Sequence, residues 1–585
     1  MFAEIAAIAR DMGVIGGGYA LIENGKITDI RMFGRVAPNA EPVTEDTLFR
    51  FGSVSKNITS LLAVTLVDAG KLSLDADVRD LLPDALISNP WETEAPLRLV
   101  HLLEHTGGLP GSSYADYAEE AGDLAPSDYV TSKRFDLRWA PGRYYSYANS
   151  GHTIVAAALE QLTGRSFDDL VIENVFAPLG METATFRNSI LNNQKLSPSW
   201  HADGSRAETW SLAIRPSGAL VGSIKDLAAL TRFHATAGAD TGMTPAVVER
   251  MRTPKTGLAA EQGYELSYGL GMFGFIVADQ VFWGHWGRVD GFLTSFGILS
   301  PQKHGFALIS NTGNRAAMSA MRSRIANYLT QDMMPAQPPP AIPLQNADHL
   351  IGWYQPFTDD MELRSWISEL LGLQHITIRD GTLYLRTLWP GLPERRLTPV
   401  SDSFFLEAGL TVPTQLFLDD GSDIVLFGDG QNTLRRVSSL EALAKIAGLV
   451  FVVLSVAGSI VMGLLTIIWA GLRRTLSEGG TIVIALGVAG LSLLALQGLH
   501  VIWGMLSSLD AASSLGVPGP RALTLSALSI AWPIAAVVAL DLVRRSWQVI
   551  GWITRYWSIA VLSGFLLAAV FLTARDWLPL MTWST

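Results

Sequence analysis

A serine and a lysine three residues apart, Ser53 and Lys56, could together perform nucleophilic chemistry. They lie in the stretch RFGSVSKNIT, ahead of an apolar, amphipathic helix pattern that ends at Gly70. Residues i and i+3 share one helix face, so the lysine amine can reach the serine hydroxyl. A serine hydroxyl is a weak nucleophile until a neighbouring base takes its proton. The spacing alone also fits a serine N-cap followed by a solvated lysine.

Two further short motifs carry polar side chains suited to catalysis. Tyr147 and Asn149 lie in YYSYANSGH, where a phenol can relay a proton and an amide can hold a substrate carbonyl. The stretch FWGHWGRVDGF places His285 and Gly287 in an apolar strand pattern, in which a glycine often marks close backbone approach. Taken singly, the first motif also fits an aromatic core patch, and the second a half-buried histidine with protein partners.

In order and spacing, these three motifs resemble the S-x-x-K, Y-x-N and H-x-G of penicillin-binding-protein-like serine hydrolases. That family includes class C β-lactamases, D-alanyl-D-alanine carboxypeptidases, D-aminopeptidases and certain esterases. The segments LRLVHLLEHTGGLPG, SGALVGSIKDLAAL and SYGLGM are also similar to family segments. The resemblance covers about residues 1–330. It implies an α+β fold of the β-lactamase/transpeptidase type, with an antiparallel sheet and a helical subdomain.

The resemblance also implies the roles of the catalytic residues. Ser53 would be the acylated nucleophile and Lys56 the general base that takes its proton. Tyr147 would relay a proton to the leaving group and from the deacylating water. The backbone N–H groups of Ser53 and Arg288 would form the oxyanion hole.

Substrate-binding roles are implied for four residues: Asn149, His285, Gly287 and Arg288. His285 replaces a lysine that helps hold a substrate carboxylate in lactamases and carboxypeptidases, and Trp286 is bulky where threonine is common. Both departures predict weak or absent β-lactamase activity and favour an esterase, D-peptidase or amidase. The Arg288 side chain could supply the missing charge or be solvated, and the sequence leaves both alternatives open.

A different pattern, HLLEH from His101 to His105, matches the H-x-x-E-H arrangement of some zinc proteases. Gly107 and Gly108 end the helix at once, and the resembling family has a similar segment without metal. We therefore interpret HLLEH as a capping and packing segment, and we expect neither a metal nor another cofactor.

Composition excludes other classes of function. The formal net charge is −11 and no run of Lys and Arg occurs, which argues against a nucleic-acid partner. The chain has no cysteine, so disulfides, thiolate catalysis and cysteine-ligated metals are excluded. The expected partners are a small-molecule or peptide substrate and a lipid bilayer, and the oligomeric state stays open.

Composition shifts divide the chain into segments. Residues 1–332 would form the hydrolase domain and residues 333–345, which contain MMPAQPPPAIP, a proline-rich linker. Residues 346–440 read as short strands, with hairpin turns at Asp380-Gly381 and Asp420-Gly421. The pattern predicts a small antiparallel β domain that resembles the lipocalin-like accessory domains of some family members. In the hydrolase segment, strand patterns at both ends predict a sheet that joins them.

The C-terminal region, 445–575, predicts four transmembrane helices, at about 446–472, 481–506, 523–542 and 557–574. Arginines concentrate in the first and third loops between these helices, so both loops should be cytoplasmic. The hydrolase domain would then lie outside, in the periplasm or extracellular space, on a multi-pass protein of the cytoplasmic membrane. Export of a large N-terminal domain normally needs a signal sequence, and the N-terminal residues do not show one. Either a signal was removed before residue 1 or the predicted orientation is wrong, and the arginine bias of both loops favours the first.

These inferences predict a membrane-anchored serine hydrolase that forms an acyl-enzyme at Ser53. Its substrates would be small esters, amides or peptides with a D-residue. One alternative is a periplasmic peptidase that matures exported peptide prodrugs, a variant with a similar layout. The other is a catalytically weak ligand-binding or sensor protein of the penicillin-binding type, although intact Ser53, Lys56 and Tyr147 argue against lost catalysis.

Overall fold

The computed structural model describes residues 1–117, 122–334, 336–344, 347–358, 365–388, 392–428, 432–503, 514–575 and 577–583. The chain divides into two compact units, which are described separately. The first comprises Met1–Ser112 and Glu119–Arg436, and the second comprises Ser113–Ala118 and Val437–Thr585. Residues 335 and 345 of the predicted linker, and 504–506 of the second predicted membrane helix, lie outside the described residues.

The described strands are β1 (Gly16–Glu23), β2 (Lys26–Gly34), β3 (Phe49–Arg50), β4 (Leu86–Ser88), β5 (Arg134–Asp136), β6 (Val221–Gly222), β7 (Phe273–Val277), β8 (Gln280–Val289), β9 (Phe292–Leu299), β10 (His304–Ser310), β11 (Gly352–Pro356), β12 (Gln374–Arg379), β13 (Thr382–Thr387), β14 (Arg395–Pro399), β15 (Phe404–Glu407), β16 (Gln415–Asp419), β17 (Ile424–Gly428) and β18 (Asn432–Val437).

The described α-helices are α1 (Phe2–Asp11), α2 (Ser55–Asp68), α3 (Val78–Leu81), α4 (Leu99–Leu103), α5 (Pro126–Ser132), α6 (Asn149–Thr163), α7 (Phe167–Val171), α8 (Ala177–Leu179), α9 (Arg215–Gly218), α10 (Ile224–Ala235), α11 (Pro245–Arg250), α12 (Leu258–Glu261), α13 (Arg315–Leu329), α14 (Ser365–Leu371), α15 (Ser439–Arg473), α16 (Glu478–Val501), α17 (Pro520–Arg545) and α18 (Trp552–Thr573).

A six-stranded antiparallel sheet forms the scaffold of the hydrolase segment, in the order β2-β1-β10-β9-β8-β7. Strand β1 pairs with β10, so the prediction that the sheet joins the two ends of this segment is confirmed. Helices α1 and α13 pack together, and their apolar residues Ile5, Met321 and Ile325 share one core with strand residues Tyr19 and Phe306. Helix α10 packs against β1, β9 and β10.

Helix α2 follows the nucleophile motif and occupies the centre of the hydrolase segment. The sequence pattern predicts an amphipathic helix with one solvated face, but the structure buries most of its residues, polar Asn57, Thr59 and Ser60 included. Helices α6, α7, α9 and α11 surround it. The polar face is buried because these side chains bond to neighbours: Asn57 Nδ2 donates to the Gly271 carbonyl at 3.2 Å, and Thr59 Oγ1 to that of Pro216 at 2.7 Å.

The predicted small β domain is a closed barrel of eight antiparallel strands, β11 to β18. Apolar side chains form its core, among them Tyr354, Ile376, Leu397 and Leu434. The turn at Asp380-Gly381 has left-handed backbone at both residues, as a two-residue hairpin requires.

The second unit is built around four helices that are long and apolar enough to cross a membrane: α15, α16, α17 and α18. This confirms the four predicted apolar helices. Small residues let α15 and α16 approach closely: a Cβ built on Gly463 would lie 3.1 Å from the Cα of Gly487. Residues 113–118 belong to this unit, where the Tyr114 hydroxyl lies 3.3 Å from Nε2 of His500.

Candidate active site

Ser53 lies in a single 3₁₀ turn, Gly52–Val54, between β3 and α2. The turn is stabilised by Ser55, whose Oγ donates to the Gly52 carbonyl at 2.6 Å and accepts from the Leu220 N–H at 2.9 Å. Neither the turn nor α2 has a side-chain N-cap, so the Ser53 hydroxyl does not serve as one. Instead, Ser53 Oγ lies 3.2 Å from Nζ of Lys56, as the i, i+3 spacing predicts.

The Lys56 amine is fully buried, and the groups around it leave it suited to act as a base. Nζ donates to the Ser217 carbonyl at 2.9 Å and lies 4.8 Å from the ring centre of Tyr147. Neither of these groups carries a negative charge that would hold a proton on the amine. Burial lowers the pKa of Lys56 well below its ordinary value. A neutral amine beside Ser53 Oγ can accept the hydroxyl proton.

Close backbone approach places two N–H groups beside the Ser53 turn. Gly52 has a φ of +53°, and a Cβ built on it would lie 2.7 Å from the backbone N of Arg288. A Cβ on Gly287 would lie 1.9 Å from the Phe51 carbonyl oxygen and 3.0 Å from the backbone N of Ser53. Only glycine fits either position. The contact brings together the two N–H donors, of Ser53 and Arg288, that the family resemblance assigns to the oxyanion hole.

A buried ion pair joins the two backbone segments that meet at Gly52 and Gly287. Arg50 lies three residues before Ser53, and Asp290 lies two residues after Arg288. The Arg50 guanidinium donates to the Asp290 carboxylate and, at 2.7 Å, to the Trp210 carbonyl, and both charged side chains are fully buried. We call the turn Gly52–Lys56 together with Gly287 and Arg288 the nucleophile end of the site.

Tyr147 lies beside Lys56 in an aromatic layer. The ring of His105 lies 4.3 Å from that of Tyr147 and 4.5 Å from that of Tyr268. His105 has a φ of +56°, a strained backbone for a residue other than glycine. The Ala148 N–H donates to His105 Nδ1 at 3.2 Å, so the neutral ring carries its proton on Nε2. We call residues 143–149 together with 264–268 the tyrosine end.

Asn149 begins helix α6 and is largely buried. Its Nδ2 donates to Ser112 Oγ at 2.7 Å, and its carbonyl accepts from Ser217 Oγ. Because the Ser217 carbonyl also accepts from Lys56, this serine links the first two motifs. The structure therefore places Asn149 in the same hydrogen-bond network as Lys56, and its contact with a substrate stays a prediction.

His285 faces the same network, but both of its ring nitrogens already have protein partners. The Tyr268 hydroxyl lies 2.7 Å from Nε2, and Nδ1 lies 2.6 Å from the Trp286 carbonyl oxygen. Since a carbonyl can only accept, Nδ1 carries the proton and Nε2 accepts from the phenol. Burial lowers the pKa of His285 to about 3. The third motif thus presents a neutral imidazole, and a direct substrate contact would have to replace one of these bonds.

Trp286 and Arg288 alternate with His285 and Gly287 along β8, so their side chains lie on the other face of the sheet. Trp286 is 37% exposed, and the Arg322 guanidinium lies 5.2 Å from its ring centre. Arg288 is exposed within a strand, and its backbone N, not its side chain, adjoins the Ser53 turn.

The three polar residues of HLLEH have separate partners. His101 Nδ1 accepts from the Arg98 N–H, and His105 joins the aromatic layer. Glu104 pairs with Arg250 at 2.7 Å and accepts from the Thr256 hydroxyl at 2.7 Å. No group of three or more His, Asp or Glu able to hold a metal occurs among the described residues.

Sequence reasoning missed three members of the network: Ser217, Tyr268 and His105. Ser217 and Tyr268 lie in SGALVGSIKDLAAL and SYGLGM, so the family likeness of these segments was a signal, although it gave no role to either residue. His105 lies within the zinc-like pattern, whose interpretation as packing hid its contact with Tyr147.

Comparison with known proteins finds relatives of the segment that contains this site. The Beta-lactamase family model matches residues 5–330. Penicillin-binding protein 4 of Amycolatopsis lactamdurans is 27% identical over 297 residues, which cover 48% of this chain and 74% of that protein. Esterase EstB of Burkholderia gladioli is 32% identical over 191 residues, which cover 30% of this chain and 48% of that protein, about half its length.

Among solved structures, the crystal structure of SurE matches 74% of this chain and 98% of its own, with 23% identity and a TM-score of 0.51. That similarity concerns the fold alone. The family model spans more than half of the chain, and its matched region contains the Ser53, Tyr147 and His285 motifs. The chain therefore belongs to the Beta-lactamase family of serine hydrolases and their relatives.

Proposed function

We propose that this protein is a membrane-anchored serine hydrolase that forms an acyl-enzyme at Ser53. The observation that carries the proposal is the fully buried Lys56 amine, 3.2 Å from the Ser53 hydroxyl, with a pKa that burial lowers. An uncharged amine at hydrogen-bond distance is what general-base activation of a serine requires.

The proposed reaction has two halves. Lys56 takes the proton of Ser53 as Oγ bonds to the substrate carbonyl carbon, and the oxyanion accepts from the N–H groups of Ser53 and Arg288. The bond to the leaving group then breaks, Tyr147 delivers a proton to that group, and Lys56 passes its proton to the phenol. In the second half, water gives a proton to Lys56 by way of Tyr147 as it attacks the acyl carbon; the bond from that carbon to Ser53 Oγ then breaks, and Lys56 returns the proton to Oγ.

The third motif supports a preference among substrates. A carboxylate beside the scissile bond would meet a neutral His285 with both nitrogens bonded, where a lysine would have offered a charge. We therefore propose small esters, amides or peptides with a D-residue as substrates, with β-lactam hydrolysis weak or absent. The esterase among the relatives supports the first of these classes.

We further propose a multi-pass protein of the cytoplasmic membrane with its hydrolase domain outside the cytoplasm. Arg473 ends α15 and Arg474 follows it, Arg544 and Arg545 end α17, and Arg555 lies in the first turn of α18. Because the chain has no cysteine, single cysteines at Thr475 and Pro518 would report topology. Labelling of Thr475→Cys by an impermeant maleimide in intact spheroplasts would contradict this orientation.

The acyl-enzyme is tested by exposing the full chain, purified in detergent, to a fluorophosphonate probe and measuring intact mass. We expect one adduct per chain, loss of the adduct in Ser53→Ala, and no effect of a chelator. The exposed Ser132→Ala serves as the matched control and should label like the wild type. A panel of p-nitrophenyl esters, D-amino-acid amides and a chromogenic cephalosporin then ranks substrates. An unlabelled, folded wild type would contradict the hydrolase proposal and favour a ligand-binding role.

A further inference from the structure

The β-barrel forms hydrogen bonds with the chain segment that precedes Tyr147. The hairpin between β16 and β17 reaches two consecutive residues of this segment through Asp420. The Tyr144 hydroxyl donates to Asp420 Oδ2, and Nη2 of Arg143 donates to the Asp420 carbonyl oxygen at 2.7 Å. One barrel residue therefore holds the chain three and four residues before Tyr147.

Asp420 is itself held rigidly. Its side chain is 3% exposed, and its Oδ1 accepts from the backbone N–H and hydroxyl of Ser422 at 2.8 and 2.6 Å and from the Asp423 N–H at 3.0 Å. Burial raises the pKa of Asp420, but hydrogen bonds from Ser422 and Tyr144 outweigh this effect and lower the pKa to about 2. The carboxylate is ionised at neutral pH, and its bond from the Tyr144 hydroxyl is charge-assisted.

Further barrel contacts fall on the same part of the site. Thr433 Oγ1 donates to the Tyr145 carbonyl at 3.3 Å, and the ring of Phe357 meets that of Tyr144 edge-on at 4.9 Å. The Tyr264 hydroxyl donates to the Thr414 carbonyl at 2.6 Å, four residues before Tyr268. Both segments of the tyrosine end thus form hydrogen bonds with the barrel.

By contrast, the described contacts of the Ser53 turn come from the hydrolase domain: β8, Leu220 and Lys56. The barrel can therefore change the position of Tyr147 without disturbing the nucleophile and its base. Displacement of a catalytic group by about 1 Å can lower a rate by about 100-fold.

We propose that Asp420 is a positioning residue, which holds residues 143–144 and thereby sets the Tyr147 phenol against Lys56 and the leaving group. This inference rests on the proposed acyl-enzyme at Ser53. It makes the barrel part of the catalytic apparatus rather than an independent binding module.

The test uses two esters of the same acyl group on the full chain in detergent. The p-nitrophenolate group of the first ester leaves without protonation. The ethoxide group of an ethyl ester is a poor leaving group and requires a proton from Tyr147. We expect Asp420→Ala to lower kcat/KM for the ethyl ester by about 10- to 100-fold and that for the p-nitrophenyl ester by less than about threefold. The fluorophosphonate adduct at Ser53 should stay at one per chain in Asp420→Ala. Its amount measures how much of the variant is folded.

Matched variants sharpen the result. Asp420→Asn keeps one oxygen that accepts from the turn and places an amide NH₂, which can donate to the Tyr144 oxygen, where the carboxylate accepts from Tyr144; it should restore part of the ethyl-ester rate. Asp423→Ala removes an exposed carboxylate from the same turn and should leave both rates unchanged. If Asp420→Ala does not fold, Tyr144→Phe removes the single hydroxyl and should show a smaller loss confined to the ethyl ester.

Two results would overturn the positioning role: an equal loss on both esters, which indicates a general structural effect, or no loss on either. Failure of the underlying acyl-enzyme proposal looks different, because the wild type would then form no adduct.

Discussion

At the nucleophile end, two backbone segments are in direct contact. At the tyrosine end, side-chain hydrogen bonds connect the segments that carry Tyr147 and Tyr268 to the β-barrel. Gly52 and Gly287 leave no room for a Cβ between Ser53 and Arg288, and a buried ion pair lies behind them. Tyr147 and Tyr268 instead depend on hydroxyl and carboxylate contacts, made several residues away. We infer that changes at the first end remove activity almost completely, and that changes at the second reduce it by degrees.

The largest effect is expected from Lys56→Met. Loss of the base should lower kcat/KM by about 10⁴-fold. The same variant should unfold at a higher temperature than the wild type at pH 7, because methionine fills the buried site without desolvation of an amine. Steady-state kinetics and thermal unfolding measure the two quantities, with Lys225→Met, an exposed lysine paired with Asp46, as control.

The pH dependence of stability gives a second readout of this substitution. The folded-state pKa of Lys56 lies below the unfolded value of about 10.4. Between the two values the unfolded chain binds more protons, so the free energy of unfolding of the wild type gains a contribution as pH rises there. Lys56→Met should lack this contribution. A slope identical to that of the wild type would show that Lys56 is not the buried group that titrates.

A smaller but still large effect is expected from Gly287→Ala. The added Cβ would lie 1.9 Å from the Phe51 carbonyl, so β8 must move away from the Ser53 turn and carry the Arg288 N–H with it. Loss of one oxyanion donor lowers kcat by about 10²- to 10³-fold. The control is Gly313→Ala, whose Cβ would make only ordinary contacts, beginning at 3.5 Å. If Gly287→Ala had the same kcat as Gly313→Ala, the nucleophile end would not be the more sensitive of the two ends.

The smallest effect is expected from Tyr268→Phe, which removes one hydroxyl at the tyrosine end. His285 Nε2 loses its donor, and since that bond stabilises the neutral ring, the pKa of His285 should rise. We expect kcat/KM to fall about tenfold or less, in line with one hydrogen bond of roughly 1 kcal/mol. Nitrogen NMR of the histidines reports the protonation change, and a 1000-fold loss of activity would contradict a graded tyrosine end.

The same contrast explains how far the sequence predicts the site. Ser53 and Lys56 are three residues apart, and residues at that spacing share one face of a helix, so their contact can be predicted from the sequence. The hairpin at Asp380-Gly381 follows from turn chemistry, and the four apolar helices follow from composition. The full set of motifs needed the family resemblance, since each one alone fits an ordinary structural role.

Contacts between distant segments were beyond reach of the sequence. Tyr268 and His285 look like separate aromatic and histidine positions until β8 places them together. Asp420 reads as an ordinary turn residue, although it contacts Tyr144 from 276 positions away. Helix α2 looks solvated on one face because nothing in its own sequence reveals the helices that cover it.

Residues 113–117 come from the middle of the hydrolase sequence but pack with the apolar helices, where Tyr114 is fully buried and Asp116 is 1% exposed. A secreted fragment that ends at residue 436 would retain these five residues and lose what covers them. Such a fragment would expose the Tyr114 ring, which promotes self-association. The chain that keeps its four apolar helices, held in detergent or nanodiscs, is therefore the better material for crystallisation, inhibitor screening and quantitative enzymology.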